Sequence, residues 1–206
     1  MGYKKKIAQC IHFAEADYIL ALKGNHETLF QEVASFFNDP EVWSYQKKKG
    51  FQFDTYTQTN KGHDRIETRT ILATNAIDWI DESERKHWLG LKGIVCVEST
   101  RLIQRTKESS TEKRYYLTSN EPDAENLATL IRNHWSIENQ CHWVLDVVWN
   151  EDASRIRKGN AAQNVALLRK MALNLLKIDS SVTASMPKKR LMATLNVEKL
   201  EKFLLL

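Results

Sequence analysis

The sequence predicts an α/β body with a β-rich middle and helices toward its C-terminal end. Three observations carry that reading. Apolar residues recur at helical spacing in the first forty residues and again after residue 121. Between residues 50 and 118 the period falls to two, with turn residues between the runs. The 206 residues are 42% hydrophobic, which suits one large domain, or one domain with an insertion, with disorder expected at most in the last thirty residues.

The elements follow in order. Lys4 to Ala14 reads as a helix with Ile7, Cys10, Ile11 and Ala14 on one side. Asp17 to Leu22 is a short apolar run closed by Lys23-Gly24-Asn25, the pattern of a buried strand. Asn25 is expected to cap a helix reaching about Phe37, with Leu29, Phe30, Val33, Phe36 and Phe37 as its buried face. Asn38-Asp39-Pro40 stops it. Phe51, Phe53 and Thr55 then alternate with Gln52, Asp54 and Tyr56, and Ile66, Thr68 and Thr70 with Glu67, Arg69 and Ile71. With Asn60-Lys61-Gly62 as the turn, that is a hairpin with one wet face. Asp78 to Leu89 reads as a short helix or loop, Gly93 to Ile103 as a strand, Thr106 to Lys113 as a turn and Arg114 to Thr118 as the last strand. Glu121-Pro122-Asp123 opens a long helix, whose pattern loosens after Asp146. Gly159-Asn160 starts another, through Ile178, with Val165, Leu168, Met171, Ala172, Leu175 and Leu176 as its stripe. Met186 to Arg190 reads as a loop in a basic tail ending at Leu206.

Charge is unevenly placed. From Ala153 onward there are eleven Lys and Arg against three acids, on a chain whose net charge is +4. The body before it is therefore mildly acidic, and the basic quarter points to a polyanionic partner, with a solvated tail as the alternative. No apolar run approaches the roughly eighteen residues that span a bilayer, and no leader peptide is read at the N-terminus. Cys10, Cys96 and Cys141 are widely spaced and form no C-x-x-C pair, which fits buried free thiols in a reducing cytoplasm.

One stretch concentrates chemistry. Glu138 shares a helix face with Leu127, Ile131, Trp135 and Leu145, with His134 and His142 one turn to either side. A carboxylate there needs a partner charge, hydrogen bonds or a metal. The alternative to a metal is a salt bridge with Arg132 or the run from Arg155 to Lys158. His134, Glu138, His142 and Asp146 stand four apart, which opens a zinc reading, though H-E-x-x-H is absent. Arg155, Arg157 and Lys158, just ahead of a helix N-terminus, suit phosphate contact; a solvated turn is the alternative. His12, His26, His63 and His87 read as ordinary, Trp43, Trp79 and Trp88 as packing anchors, and the Lys4–Lys6 and Lys47–Lys49 runs as solvated faces.

The segment HWSIENQCHWVLDVVWNEDASRIRKGNAAQNVALLRKMALNLLK resembles the C-terminal part of the H-repeat-associated insertion-sequence transposases of the DDE superfamily. ADYILALKGNHETLF, GHDRIETRTI and KRYYLTS are similar to further segments of that family in the same order, so the resemblance runs from Met1 to about Leu191. It implies an incomplete ribonuclease-H-like core over residues 1–40, a β-rich insertion over 41–105, a return to the core with the Glu helix and its successor over 106–178, and a basic tail over 179–206. It also implies cleavage and joining of DNA strands by two divalent ions, normally Mg²⁺, held by two Asp and one Glu. Glu138, in Ile137-Glu138-Asn139, matches that catalytic, metal-binding Glu, and Arg132 resembles the Arg that accompanies it. Position 129 is Thr where the superfamily has a Tyr, and 145 is Leu where a basic residue is common. Met1-Gly2-Tyr3-Lys4-Lys5-Lys6 matches the turn and helix that follow the second catalytic Asp.

The resemblance therefore implies a C-terminal transposase fragment, inactive alone because both catalytic Asp are missing. Asp17, Asp54, Asp64 and Asp78 are not expected to replace them. Insertion-sequence end DNA is the expected partner through Arg132, Arg155, Arg157 and Lys158, with no membrane and a cytoplasmic location. Two other readings stand beside it. One is a non-enzymatic DNA-binding or regulatory remnant that associates with DNA or a full-length transposase; the other is a zinc hydrolase on His134, Glu138 and His142. A core lacking its early strands would leave the sheet at Asp17 with an uncovered edge and face, and poor solubility is the expected consequence.

Overall fold

The alternating middle of the chain builds one five-stranded, wholly antiparallel sheet in the order β1-β5-β4-β3-β2. The strands are β1 (Ile19–Leu22), β2 (Phe53–Gly62), β3 (Arg65–Thr74), β4 (Gly93–Ile103) and β5 (Ser109–Thr118). The computed structural model describes residues 3–62 and 64–204, without the side chains of Tyr3, Lys4, Asn25, Glu138 and Asn139. Met1-Gly2 of the expected N-terminal turn, His63 and Leu205-Leu206 lie outside the described residues. The chain divides into two compact units, Met1–Ile131 and Arg132–Leu206.

In the first unit, strand alternation sorts side chains onto two faces. Ile94, Cys96, Tyr115 and Leu117 join Val33, Phe36, Phe37, Ile80 and Trp88 on one face. That cluster is fed by α1 (Tyr3–Phe13), α2 (Glu27–Asn38), α3 (Pro40–Lys48) and the region of α4 (Glu82–Lys86). Ile71, Ala73, Val95, Val97 and Tyr116 pack on the other face with Ala124 and Leu127 of α5 (Ala124–Ile137). The early strand β1 lies in the same sheet as the expected insertion: Ile19 to Leu22 pair with Thr118 to Tyr115. Ser119 fixes that junction, accepting the Tyr18 N–H and donating to the Asp17 carboxylate, each at 2.8 Å.

Several local expectations are corrected. Among the described side chains of α1 the buried one is Ala8, with Ile11 packed against the same cluster, whereas Cys10 and Ala14 are exposed. Of the three thiols only Cys96 is buried, and burial pushes it up to about 12. Asn25 lies in a 3₁₀ turn, Gly24–His26, and α2 starts after His26 without a side-chain cap. Asn38-Asp39-Pro40 does end α2, but it also starts α3. Asp39 accepts the Glu41 and Val42 N–H groups, and Pro40 stands at the first helical position. Asn60-Lys61-Gly62 belongs to β2 rather than to the hairpin turn, because the strand keeps pairing as far as Gly62↔Arg65. Likewise β5 begins at Ser109; its polar first half pairs with the polar end of β4, as in Thr100↔Thr111.

The second unit is helical. After α5 comes a π-helical turn, Glu138–His142, then α6 (Trp143–Trp149), α7 (Ala161–Ile178), α8 (Met186–Leu195) and α9 (Val197–Leu204). Its core is small: Val144, Leu145, Val148 and Leu173, with Cys141, Trp149 and Met186 against them. The buried residues of α7 are Leu173 and Leu176, while Leu168 and Met171 of the expected stripe are more than half exposed. The tail expected as a loop is helical from Met186, where Pro187 sits in the first turn, and Phe203 is 2% exposed.

Candidate nucleic-acid interface and metal-ligand position

The helix that brings Glu138 into place is anchored at its N-terminus by two carboxylates. Asp123 accepts the Asn126 N–H at 2.9 Å, and Asp54, seventy residues earlier on β2, accepts the Ala124 N–H at 2.7 Å. Both meet amides that a helix start leaves without an internal partner. Leu127, fully buried, then fixes the face of α5 that meets the sheet.

The ladder changes at Glu138. Its backbone opens the π-helical turn, in which i→i+5 bonding widens the coil; such turns recur at functional positions. The widening breaks the continuous stripe expected from Leu127 to Leu145. Leu145 is buried, but Trp135 is 42% exposed. The Glu138 carboxylate itself, and with it the metal, salt-bridge and zinc readings, lies outside the described residues. His134 and His142 are exposed, and among the described residues no three His, Cys, Asp or Glu groups are placed to hold a metal ion. The described residues therefore do not by themselves make a two-ion site.

The other aspartates weighed as ligands have local partners. Asp17 takes the Ser119 hydroxyl, Asp54 caps α5, and Asp78 faces Lys49 at 3.7 Å. Asp64, at φ 63°, occupies the β2–β3 turn, and its carbonyl accepts the Gln104 N–H.

Arg132 is exposed on α5, six residues before Glu138. Arg155, Arg157 and Lys158 are all exposed in the segment between α6 and α7, and Gly159 (φ 53°) turns the chain into α7. Asn160, at the start of α7, makes no side-chain cap, so its amide oxygen does not occupy the N–H groups of the first turn.

The basic tail has a different distribution of work from the one its composition implied. Lys188, Lys189 and Arg190 lie in the first turns of α8, the wrong end of a helix for cations. Two of the three are turned to other helices. Lys189, 5% exposed, donates to the carbonyls of Leu176 (2.9 Å) and Asp179 (2.5 Å) at the end of α7 and pairs with the Asp179 carboxylate at 3.2 Å. Ser181's hydroxyl and N–H, helped by Lys189, hold the Asp179 carboxyl below the usual aspartate range. Arg190 donates to the Val148 carbonyl and lies over the Trp149 ring, 5.1 Å from its centroid, at the end of α6. Sequence reading missed these roles, although Pro187 ahead of the cations was the available signal for a helix start.

The family model described as "Transposase DDE domain" matches residues 1–175. The chain is 39% identical over 207 residues to "Putative transposase YncI" of Escherichia coli O157:H7, covering 99% of this chain and 51% of that protein. It is 36% identical over 196 residues to "H repeat-associated putative transposase YhhI" of Escherichia coli K12, covering 92% of this chain and 49% of the relative. "Putative protein YbfL" of the same strain matches at 36% with the same coverage. The chain thus spans about half the length of these curated relatives. No solved structure matches it. With the family model matching most of its length, the chain belongs to the DDE transposase family.

Proposed function

We propose that this chain contributes the third carboxylate and part of the DNA-contacting surface of a DDE transposase. The observation that carries this reading is the family match across residues 1–175, within which Glu138 stands at the π-helical break between α5 and α6. In this reading Glu138 is a metal ligand, residues 1–40 and 106–178 supply part of a ribonuclease-H-like core, and the two Asp that complete the site are assigned to none of these 206 residues. Divalent ions, when bound, activate the attacking oxygen and stabilise the leaving one in strand cleavage and transfer. The chain's own work is to hold DNA. Arg155, Arg157 and Lys158 meet phosphates ahead of α7, and Arg132 lies on the helix that carries Glu138. Alone, the 206 residues bind DNA carrying the insertion-sequence ends without cutting it.

The test is a nicking and strand-transfer assay of the 206-residue protein with Mg²⁺ or Mn²⁺ on end DNA, beside a salt series of DNA binding. The expected result is salt-dependent binding without cleavage. Cleavage abolished by Glu138→Gln would overturn the assignment of inactivity, and no binding even at low salt would overturn the DNA-contact assignment. A regulatory role as a DNA-bound partner of a full-length transposase rests on one further observation: Arg155, Arg157 and Lys158 are exposed in the segment between α6 and α7. Inhibition of transposition by the Glu138→Gln protein, expressed beside an active relative, would separate that role from catalysis.

A further inference from the structure

Helix α8 joins the ends of two other helices through two consecutive side chains. Lys189 meets the C-terminal carbonyls of α7, and Arg190 meets the C-terminal end of α6 at Val148 and Trp149. Each helix end carries partial negative charge and carbonyls without partners, so each contact is charge-assisted. Of these two contacts, Arg190's is the one at the origin of the basic segment. That segment leaves α6 one residue after Trp149, at Asn150, which adopts a left-handed conformation with φ 49°. The N–H groups of Asn150 and Glu151 both return to the Leu145 carbonyl. The Val148 carbonyl is met from outside the helix, by Arg190. The exit of the segment carrying Arg155, Arg157 and Lys158 is therefore set by two devices, a left-handed cap and an arginine from forty residues further on.

We propose that Arg190 is a positioning residue for DNA binding. It holds the last turn of α6 against α8 and so sets where the 151–160 segment presents its three cations. This rests on the DNA-contact reading above. Arg190 is spent on a carbonyl and an aromatic face, and it contributes no phosphate contact of its own.

The experiment measures the affinity of the 206-residue protein for a fluorescein-labelled 30-base-pair duplex from 50 to 300 mM KCl. The proteins compared are the wild type, Arg190→Gln, Arg190→Lys and Arg157→Gln, and melting is followed to show that each folds. Arg190→Gln is expected to weaken binding by roughly fivefold, the size of one lost helix-end cation, with the slope of log K against log salt unchanged. Arg157→Gln, which removes a phosphate contact, is expected to flatten that slope by about 0.9. Arg190→Lys, which keeps the charge but not the flat guanidinium over Trp149, restores part of the loss. In parallel, trypsin cleavage after Arg155, Arg157 and Lys158 should accelerate by about the same factor in Arg190→Gln, because the segment opens more often. Unchanged affinity and proteolysis in Arg190→Gln would overturn the proposal. So would a slope flattened like that of Arg157→Gln, which would make Arg190 a phosphate contact. A wild type that does not bind DNA, together with faster cleavage in Arg190→Gln, would leave Arg190 anchoring the segment but remove both the DNA-contact reading and the role in DNA binding.

Discussion

Asp54 is the residue whose replacement best separates structural from catalytic aspartates in this chain. It is an exposed residue of β2, and its carboxylate accepts the Ala124 N–H at 2.7 Å and the Thr55 N–H at 2.9 Å. The first of these is a helix cap supplied from a distant strand. It meets one orphan amide of α5 and places a negative charge at the positive end of the helix dipole. Losing a capping side chain costs about 1 kcal/mol, and the charge–dipole part adds a few tenths at an exposed site, so Asp54→Ala should cost about 1–1.5 kcal/mol. For a chain of this size that lowers the midpoint of melting by about 2–6 °C. Asp54→Asn, which still presents a carbonyl oxygen, should lose less than half of that. The assay is thermal denaturation followed by circular dichroism, with hydrogen exchange at Ala124 reporting the cap directly. An Asp54→Ala protein that melts with the wild type and exchanges Ala124 no faster would refute the cap. Unchanged melting combined with lost binding of Mn²⁺ would make Asp54 a metal ligand, against the expectation from the sequence.

Two further outcomes follow from the second unit. Leu145 is 1% exposed in the core cluster with Val144, Val148 and Leu173, so Leu145→Ala should cost about 3 kcal/mol, read by denaturant unfolding. Hydrogen exchange should rise in α6 and α7 more than in the β-sheet, and equal protection loss in both units would contradict the independence of that core. Asp179's carboxyl is held below its ordinary 3.8, so its contribution is fully present above about pH 4 and disappears as the pH falls through the lower folded value. Below pH 4 the wild type should therefore lose melting temperature more steeply than Asp179→Asn, and parallel acid limbs would show that the Ser181 and Lys189 contacts do not act on the charge.

Where periodicity was unbroken, the sequence was legible. Gly93–Ile103 is a strand over the expected residues, because every second side chain from Ile94 to Val97 is apolar on both faces of a central strand. The face of α2, with Leu29, Val33, Phe36 and Phe37 buried, was equally plain. What failed was set by partners remote in sequence. The polar start of β5 looks like a turn until β4 supplies a strand to pair with it. The helix start at Ala124 shows Asp123 but gives no hint of Asp54. Residue type and spacing singled out Glu138 and the cations of the 150–160 segment as candidates, but gave no sign of the π-helical turn, because i→i+5 bonding leaves no period of its own in five residues. That turn is also why Trp135 and Leu145, which share a face on a regular helix, differ so much in exposure.

The basic C-terminal quarter shows how a charge count has to be divided before it becomes a binding surface. A Lys or Arg whose charged end meets a helix carbonyl is already engaged, and it contributes to the field around the protein without offering a free donor to phosphate. Lys189 is of this kind by burial and Arg190 by geometry. Arg155, Arg157 and Lys158 are of the other kind, fully on the surface in a segment without helix or strand of its own. On the proposed reading one kind supports the other: a basic segment that must order on binding phosphate loses part of its binding energy to that ordering, and a helix end fixed from outside lowers the loss. On the proposed reading, Lys189 and Arg190 matter to DNA through where they hold α7 and α6. Charge-neutral replacements there should alter affinity with little change in salt dependence, the reverse of what the composition alone would lead one to expect.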